Sequence, residues 1–245
     1  MESLKVSYCI GVYNEEKILL KNVGVLETNL EKILGRDNYE IVLVENGSTD
    51  KTRQILSELK DKNLKILYLK KKGHGASLKM ALTKASYNYC LLTAIDIPFG
   101  FDDLKQMVQL KDGYDLIFGS KAHPDSKIIV DLKRRIASYV FRLLIRLFFH
   151  LQIRDPQGSI FVNRRSIESV LNHANANNSF FTTQLAIYSK LFGLRLTEIP
   201  VTLNKDIRKS KYNIFRDGTD LFLTLLKEYK KYREVRKIAN SQGTS

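Results

Sequence analysis

Short apolar runs alternate with amphipathic segments along the first half of the chain. Residues 6–12 form an apolar-rich run typical of a buried strand, and residues 15–34 follow with apolar side chains at helical spacing. The same alternation recurs further along, with predicted strands at 41–44, 64–69 and 89–95 and predicted helices at 50–59, 76–85 and 102–110. Strands that alternate with helices predict a mostly parallel sheet flanked by helices.

The second half of the chain is less regular. It contains predicted strands at 115–119 and 194–199 and predicted helices at 136–151, 180–192 and 219–237. The first of these helices is strongly apolar, and the last is basic in its C-terminal half. At 245 residues the chain is long enough to bury a full core. We therefore expect a single α/β domain over residues 1–215, followed by an amphipathic basic helix and tail over residues 216–245.

Basic residues outnumber acidic ones in this chain. Its 40 Lys and Arg against 26 Asp and Glu give a formal net charge of +14, which favours nucleic acid, phosphorylated ligands or an anionic bilayer as partners. No nucleic-acid recognition motif is present, so we expect no nucleic-acid partner. Cys9 and Cys90 fall inside predicted strands, and we expect buried thiols. We find no signal peptide and no apolar run of about twenty residues, and therefore expect no spanning segment.

Polar and acidic residues stand where predicted parallel strands end. These are Tyr13-Asn14-Glu15 after the first strand, Glu45-Asn46-Gly47-Ser48-Thr49-Asp50 after the second and Asp96 after the fourth. Carboxyl ends of parallel strands meet at one edge of a sheet, where such folds bind ligands. Glu45 and Asn46 can accept hydrogen bonds from a nucleobase edge and from ribose hydroxyls, and Tyr13 can lie against the base. Asp50 has a simpler explanation as the residue that starts the next helix.

A short glycine-containing turn, Lys72-Gly73-His74-Gly75, precedes a predicted helix. Backbone N–H groups at such a turn, including that of Gly73, can meet a phosphate at the helix N-terminus. The turn lacks Gly-x-Gly-x-x-Gly spacing and does not follow the first strand, which argues against a dinucleotide-binding dehydrogenase. His74 is equally well explained as a solvated loop residue.

In their order along the chain, these motifs resemble those of family 2 glycosyltransferases with the GT-A fold, and especially of polyprenyl or dolichyl phosphate sugar synthases. The pieces that carry the resemblance are Ile10-Gly11-Val12-Tyr13-Asn14-Glu15, residues 44–50 with Thr52, Gly73-His74-Gly75-Ala76, Asp96, Gly119-Ser120-Lys121, Arg134-Arg135-Ile136-Ala137-Ser138, Asp155-Pro156-Gln157, Glu198-Ile199-Pro200-Val201 and Ser210-Lys211. The resemblance covers nearly the whole chain. It implies a Rossmann-like GT-A fold in which residues 1–120 bind the nucleotide sugar and residues 121–215 bind the acceptor.

The resemblance also implies roles on the donor side. It places at the donor the residues Tyr13, Asn14, Glu15, Glu45, Asn46, Gly73 and Asp96, the last as the carboxylate for Mg²⁺ or Mn²⁺. The family commonly has Asp-x-Asp here, whereas this chain has Ala94-Ile95-Asp96, and Pro98 stands where a further polar ligand is frequent. With one carboxylate, a cation must take most of about six ligands from the donor diphosphate and water. We therefore expect weak metal binding that is assembled with the donor.

On the acceptor side the resemblance implies a basic phosphate site. That site comprises Lys121, Arg134, Arg135, Gln157 and Lys211, and catalytic roles fall to Asp96, Asp155, Arg134 and Lys121. Lys121 stands where arginine is usual. One of the two adjacent arginines is explained as well by a solvated helix end, because neighbours on a helix point in different directions. Asp155 either orients a donor hydroxyl or an arginine, or simply forms a turn before Pro156.

Many sugar transferases have a carboxylate near the start of a late helix that deprotonates an alcohol acceptor. This chain has Phe181-Thr182-Thr183-Gln184-Leu185 there. A phosphate monoester, with a second pKa of about 6, is already an anion near neutral pH and needs no such base. We therefore expect an inverting enzyme that moves a hexose from a UDP- or GDP-linked sugar to a polyprenyl or dolichyl phosphate. The alternatives are a family 2 transferase with a saccharide or other alcohol acceptor, and a degenerate, non-catalytic partner subunit.

Two helices indicate where such an enzyme would work. Arg142 and Arg146 interrupt the apolar helix and can snorkel to lipid phosphates from the membrane interface, although burial against the sheet must account for part of this surface. The final helix leads from an apolar half into the basic residues Lys227, Lys230, Lys231, Arg233, Arg236 and Lys237. We expect a peripheral protein on the cytoplasmic face of an anionic membrane, with a membrane-protein partner as a further possibility.

Overall fold

The fold was analysed in a computed structural model. It describes residues 4–128, 132–203 and 214–242, with the side chains of 132–135, 137, 214–221 and 239–242 left out. The strands are β1 Val6–Val12, β2 Tyr39–Glu45, β3 Leu64–Tyr68, β4 Tyr89–Thr93, β5 Leu116–Ser120, β6 Ile160–Asn163 and β7 Leu196–Pro200. The helices are α1 Leu19–Leu34, α2 Thr52–Glu58, α3 His74–Lys84, α4 Asp102–Leu110, α5 Leu132–Phe149, α6 Glu168–His173, α7 Phe180–Leu191 and α8 Ile214–Gln242.

The strands form one mixed sheet in the order β3-β2-β1-β4-β6-β5-β7. β6 runs antiparallel to its neighbours β4 and β5, and the other pairings are parallel. The register sets Val12 at the end of β1 beside Glu45 at the end of β2. The loops that follow these two strands therefore leave the sheet at the same edge. The predicted α/β fold with a mostly parallel, helix-flanked sheet is confirmed.

The two faces of the sheet bury two hydrophobic clusters. Along β1, Tyr8 and Ile10 belong to one cluster and Cys9 to the other, because successive side chains of a strand point to opposite faces. Cys9 and Cys90 are buried free thiols, as predicted. Both faces of the sheet are thus covered, which explains why its strands read as nearly continuous apolar runs.

The observed elements lie close to their predicted positions, with two informative differences. α1 begins at Leu19 and not at residue 15, and the N–H groups of Glu15 and Glu16 donate to side chains at or just before the start of α2, Thr52 Oγ1 at 2.8 Å and Asp50 Oδ2 at 3.2 Å. The prediction missed β6 and α6, which are four and six residues long. Elements this short contain too few positions for a periodic pattern to emerge.

α8 packs against α5 and α7 and belongs to the single domain. The ring of Phe149 in α5 lies edge-on to Tyr229 and Tyr232 of α8, with centroid separations of 5.9 and 5.2 Å. Such aromatic pairs contribute about 0.5–1.5 kcal/mol each beyond the area they bury. Within the described ranges, no helix combines the length and the apolar character needed to cross a bilayer.

Candidate functional site

Asn14 joins the loop after β1 to the loop after β2. Its Oδ1 accepts a hydrogen bond from the N–H of Thr49 at 2.8 Å, and its own N–H donates to Ser48 Oγ at 3.1 Å. Asn14 has a left-handed backbone (φ 54°), a conformation that Asn adopts more readily than most residues. Asp50 Oδ1 accepts the N–H of Thr52, the first residue of α2, at 2.9 Å. Asp50 thus accepts the first N–H of α2 from one position before Lys51, which is the N-cap residue of that helix.

Glu45 ends β2 with its side chain buried. Its Oε1 accepts the N–H of Ser48 at 2.5 Å. Its Oε2 has no hydrogen-bond partner among the described residues and lies 3.8 Å from the guanidinium of Arg53. A buried carboxylate oxygen without a hydrogen bond is costly. The side chain of Glu45 has no exposed surface, and its predicted contact with the donor stays a prediction.

The ring of Tyr13 is covered by a cation. Lys72 Nζ lies 3.6 Å from the ring centroid, within the range of a cation–π contact. A nucleobase stacked on that face of Tyr13 would have to displace the ammonium group. The role of Tyr13 at the base stays a prediction.

Asn46 connects the end of β2 to the turn that opens α3. Its Oδ1 accepts the N–H of Gly73 at 2.6 Å within a buried environment. Two residues on, the N–H of Gly75 donates to the carbonyl of Asn177 at 2.9 Å. A Cβ atom on Gly75 would overlap the carbonyl oxygen of Ala176, so only glycine allows this close approach. Both N–H groups serve the protein itself, and the predicted phosphate contact at Gly73 stays a prediction.

Asp96 lies in the turn that follows β4. The carbonyl of Ile95 accepts Asn22 Nδ2 at 2.9 Å, which ties this turn to α1. Ile97 has a left-handed backbone (φ 50°), a strained conformation for a β-branched residue. Such strain persists only where the surroundings over-determine the backbone, and it is common at functional sites. The turn therefore presents Asp96 in a defined position at the carboxyl edge of β4.

The side chains available as metal ligands limit how a metal could bind here. Among the residues that the structure describes, no group of three or more His, Cys, Asp or Glu side chains could hold a metal ion. A single hard carboxylate at Asp96 suits a cation such as Mg²⁺ or Mn²⁺ that takes its other oxygen ligands from a diphosphate and water. The residues therefore fit a cation brought with the donor.

Lys121 and Asp155 meet between the loop after β5 and the loop before β6. Lys121 Nζ lies 3.6 Å from Asp155 Oδ2 and 3.5 Å from the carbonyl oxygen of Gln157. The N–H of Lys121 also donates to Oδ2 of Asp155 at 3.1 Å, and the N–H of Gln157 donates to Oδ1 at 3.2 Å. The structure thus brings together three residues that the sequence placed at the acceptor phosphate or in catalysis.

Glu198 holds this loop from the neighbouring strand β7. Its Oε1 accepts the N–H of Arg154 at 2.6 Å and the N–H of Asp155 at 3.0 Å. The sequence analysis included Glu198 in a motif but assigned it no role. The motif Glu198-Ile199-Pro200-Val201 was the signal in the sequence that could have drawn attention to Glu198. The sequence could not show its contacts, because Glu198 lies 44 residues from Arg154 and 43 residues from Asp155.

The largest part of the site is a crevice of about 930 Å³ at the ends of β4 and β5. Its basic lining residues are His74, Lys121, His123 and Arg142, and its apolar ones include Leu78, Phe99, Ile136 and Tyr139. No carboxylate lines the crevice within the described ranges. Surrounding protein atoms desolvate the imidazole of His74 and lower its pKa, which favours the neutral form near pH 7.

Gln184 occupies the stretch of α7 where the sequence analysis noted a missing base. The residue is buried, and Nε2 donates to Glu228 Oε2 in α8 at 2.7 Å while Oε1 accepts the N–H of Ala176 at 2.7 Å. Tyr188 OH donates to the other oxygen of Glu228 at 2.5 Å. Burial and this hydrogen bond to a carboxylate raise the pKa of Tyr188. Both polar ends of Gln184 are thus engaged with protein atoms.

Three predicted acceptor residues are not placed by the structure. The side chains of Arg134 and Arg135, in the first turn of α5, and the whole of Lys211 lie outside the described residues. Arg142 is the cation of α5 whose side chain is seen to line the crevice. The sequence analysis assigned Arg142 to the membrane surface and missed this position, because helical spacing alone does not tell which side of α5 faces the sheet edge.

Comparison with known families and sequences identifies consistent relatives. The family model described as Glycosyl transferase family 2 matches residues 7–171. Glycosyltransferase AglD of Haloferax volcanii is 27% identical over 204 residues, which cover 81% of this chain and 33% of that protein. An undecaprenyl-phosphate 4-deoxy-4-formamido-L-arabinose transferase of Yersinia enterocolitica is 23% identical over 86% of this chain and 64% of its own length. A dolichyl-phosphate beta-glucosyltransferase of Dictyostelium discoideum is 21% identical over 90% and 72%.

Solved structures share the fold. Glucosyl-3-phosphoglycerate synthase of Mycobacterium tuberculosis in complex with UDP aligns with a TM-score of 0.67 and 14% identity over 93% of this chain and 80% of that one. The same enzyme has been solved with Mn²⁺, UDP and its product glucosyl-3-phosphoglycerate. TarS 1-349 of S. aureus in complex with UDP-GlcNAc aligns with a TM-score of 0.55 and 17% identity over 92% and 66%. The chain spans about a third of the Haloferax protein and just under two thirds of the Yersinia one.

Proposed function

This chain belongs to glycosyl transferase family 2, and from that premise we propose that it moves a hexose from a UDP- or GDP-linked sugar to a polyprenyl or dolichyl phosphate. A phosphate oxygen of the lipid attacks the anomeric carbon, the bond from that carbon to the nucleoside diphosphate breaks, and the anomeric configuration inverts. Relatives named for transfer to undecaprenyl phosphate and dolichyl phosphate support this acceptor class.

The observation that carries the proposal is the composition of the crevice wall. Its described lining contains Lys121, Arg142, His74 and His123 but no carboxylate. Many sugar transferases deprotonate an alcohol acceptor with a carboxylate, and the described lining has none, because Gln184 stands in that stretch of α7 and is turned toward Glu228. A phosphate acceptor arrives as an anion and needs cations instead. The lining therefore supports a phosphate acceptor over an alcohol.

The donor side is served by the strand-end loops. We assign Glu45 and Tyr13 to the nucleoside and Asp96 to the diphosphate end of the donor, in line with their places after β2, β1 and β4. A divalent cation held by Asp96 together with the diphosphate would stabilise the charge that develops on the leaving group. Lys121 lies beside the buried carboxylate of Asp155, and this pair is the proposed contact point between the transferred sugar and the acceptor phosphate.

The surface of α5 supports a membrane location. Exposed apolar side chains recur along one face of this helix at Ile136, Tyr139, Val140, Leu143 and Leu147, with exposures from 42 to 61%. Ile136 and Tyr139 also line the crevice, so the apolar face continues into the proposed acceptor site. We propose that this face lies in the cytoplasmic leaflet and that the isoprenoid chain enters beside it.

The decisive experiment compares a polyprenyl phosphate with the corresponding polyprenol, which lacks the phosphate, as acceptors. Purified protein is given UDP-glucose or GDP-mannose with Mg²⁺ or Mn²⁺, and either a polyprenyl phosphate or the corresponding polyprenol, and both nucleotide release and glycolipid are measured. We expect product with the phosphate and none with the alcohol. Asp96→Asn should reduce turnover by about 10²–10³-fold, and Lys121→Gln by about 10–100-fold, whereas Lys105→Gln on exposed α4 should leave it unchanged.

Two results would overturn the proposal in different ways. Transfer to the polyprenol or to a saccharide at a comparable rate would assign the crevice to an alcohol acceptor. Nucleotide binding that persists in every condition without turnover would favour a non-catalytic partner subunit.

A further inference from the structure

A second cavity lies between the C-terminal parts of α5 and α8. Its volume is about 230 Å³. Its lining consists of Phe148, His150, Tyr229, Tyr232, Arg233, Arg236 and Lys237, which we call the basic cavity. None of these residues lines the crevice at the sheet edge. The basic cavity is therefore separate from the proposed catalytic site, although α5 contributes to both.

The wall of the basic cavity is built from packed aromatic rings. Phe148 meets Tyr229 edge-on at a centroid separation of 4.9 Å, and Tyr232 packs on Phe149 beneath. Arg233 lies over the ring of Tyr229 with its Cζ 6.0 Å from the centroid, a geometry in which the ring helps to hold the guanidinium. Aromatic packing thus gives the cavity a fixed wall and orients at least one of its cations.

Positive charge in the basic cavity is not balanced by the described residues. Arg233, Arg236 and Lys237 make no ion pair with any described residue, and no carboxylate lines the cavity. Lys190 stands beside them and donates to the carbonyl oxygen of His150. Burial lowers the pKa of Lys190, and the nearby positive charge of Arg236 lowers it further. An anion would relieve this repulsion.

We propose that the basic cavity binds the headgroup phosphate of an anionic membrane lipid. Two or more guanidinium and ammonium groups around one small cavity match the charge and the several acceptor oxygens of a phosphate. Exposed apolar side chains occur on both helices next in sequence to lining residues, Leu147 before Phe148 at 61% exposure and Ile238 after Lys237 at 58%. A soluble phosphate would leave these side chains in water, whereas a lipid would cover them. The inference rests on the proposed membrane association and adds a defined lipid site to it.

The test distinguishes binding of a lipid in the basic cavity from general attraction of an anionic membrane by the charge of α8. Arg233→Gln/Arg236→Gln removes two cations that line the cavity, and Lys227→Gln/Lys230→Gln removes two exposed cations of α8 that do not. Binding is measured by sedimentation with vesicles of phosphatidylcholine containing phosphatidylglycerol, and with phosphatidylcholine alone. We expect the cavity pair to lose about a thousandfold in affinity for the anionic vesicles and the control pair about thirtyfold. All the substituted side chains are exposed, and thermal unfolding checks that each variant folds.

Each possible outcome of this measurement either supports the proposed lipid site or rejects it. Equal losses in the two pairs would mean that α8 attracts anionic membranes through its total charge, and the lipid site would be rejected. Binding of sn-glycerol 3-phosphate as tight as that of the anionic vesicles would assign the cavity to a soluble phosphate instead. The vesicle-binding measurement needs no glycosyl transfer, so a protein without turnover can still show the selective loss of binding in the cavity pair. A failure of the proposed function is therefore distinguishable from a failure of the proposed lipid site.

Discussion

Asn46 Oδ1 accepts the backbone N–H of Gly73 at 2.6 Å, across 27 positions of sequence. This hydrogen bond ties the end of β2 to the turn that opens α3, and it is one of several bonds that organise the loops at the carboxyl edge of the sheet. Asn14 does the same between the loops after β1 and β2. Polar residues at strand ends therefore hold the loops at this edge of the sheet together.

The first prediction concerns the side-chain oxygen of Asn46. Replacing Asn46 with Ala leaves the buried N–H of Gly73 without its acceptor, and we expect a loss of about 1–3 kcal/mol in the free energy of unfolding. Asn46→Asp keeps the acceptor oxygen and should retain most of the stability. Its added negative charge should nevertheless weaken the binding of UDP or GDP, measured by calorimetry, because the diphosphate is an anion.

A control for Asn46 is Asn29→Ala in α1. The side chain of Asn29 donates to the carbonyl of Val25 on a partly buried surface and touches neither loop. We expect this variant to bind nucleotide normally and to unfold within about 0.5 kcal/mol of the parent. If Asn46→Ala unfolds like the control, the bond to Gly73 does not organise the turn.

The second prediction compares two glycines. A Cβ on Gly75 would overlap the carbonyl oxygen of Ala176, whereas a Cβ on Gly24 in α1 meets nothing within 4 Å. We expect Gly75→Ala to lower the free energy of unfolding by about 1–3 kcal/mol or more, because the 176–178 segment must move away from α3. Gly24→Ala should raise it by about 0.5–1 kcal/mol, because alanine favours a helix interior. Chemical denaturation measures both, and equal effects of the two substitutions would contradict the close approach at Gly75.

The strand ends could be predicted from the sequence because the relevant signals are local. An apolar run that ends in Tyr13-Asn14-Glu15 or in Glu45-Asn46-Gly47 marks both the strand and the residues that follow it, and parallel pairing brings these ends together. The roles of Glu198 and Arg142 could not be predicted in this way. Each depends on which surfaces meet across distant segments, and neither helical spacing nor a motif position contains that information.

The third prediction concerns the hydrogen bond between the buried side chains of Gln184 and Glu228. Gln184 Nε2 donates to Glu228 Oε2 at 2.7 Å, and Tyr188 OH donates to the other carboxylate oxygen. Gln184→Glu would place two carboxylates in contact, and we expect a loss of about 1–3 kcal/mol in the free energy of unfolding. The exchange Gln184→Glu/Glu228→Gln restores one donor and one carboxylate at the same contact. It should recover at least half of that loss.

A double-mutant cycle measures this coupling between α7 and α8. Glu228→Gln completes the cycle, because it sets two amide groups against each other and should also destabilise the protein. Additive effects of the two single substitutions would show that Gln184 and Glu228 are not coupled.

Glu40 near the start of β2 allows a pH-dependent test of the hydrogen bonds at the edge of the sheet opposite to the carboxyl edge. The buried carboxylate accepts Ser7 Oγ and the N–H of Ser86 at Oε1, both at 2.5 Å, and Oε2 lies 3.3 Å from Lys65 Nζ. Burial alone would raise the pKa of Glu40, but the hydrogen bonds from Ser7 and Ser86 and the charge of Lys65 outweigh it and hold the pKa below its usual value.

The fourth prediction follows from the sign of that shift. A carboxyl whose pKa is lower in the folded state than in the unfolded state stabilises the protein above the unfolded pKa, near 4.5, and loses this contribution as the pH falls through the folded value. Glu40→Gln has no charge to titrate there, so we expect it to be less stable than the parent by about 1–3 kcal/mol at pH 7. The difference should stay constant down to about pH 5 and shrink below the unfolded pKa. Urea denaturation of both proteins across this range measures it, with Glu58→Gln on exposed α2 as a control that should show a much smaller difference at every pH. A gap that widened in acid would mean that the pKa of Glu40 is raised by folding and not lowered.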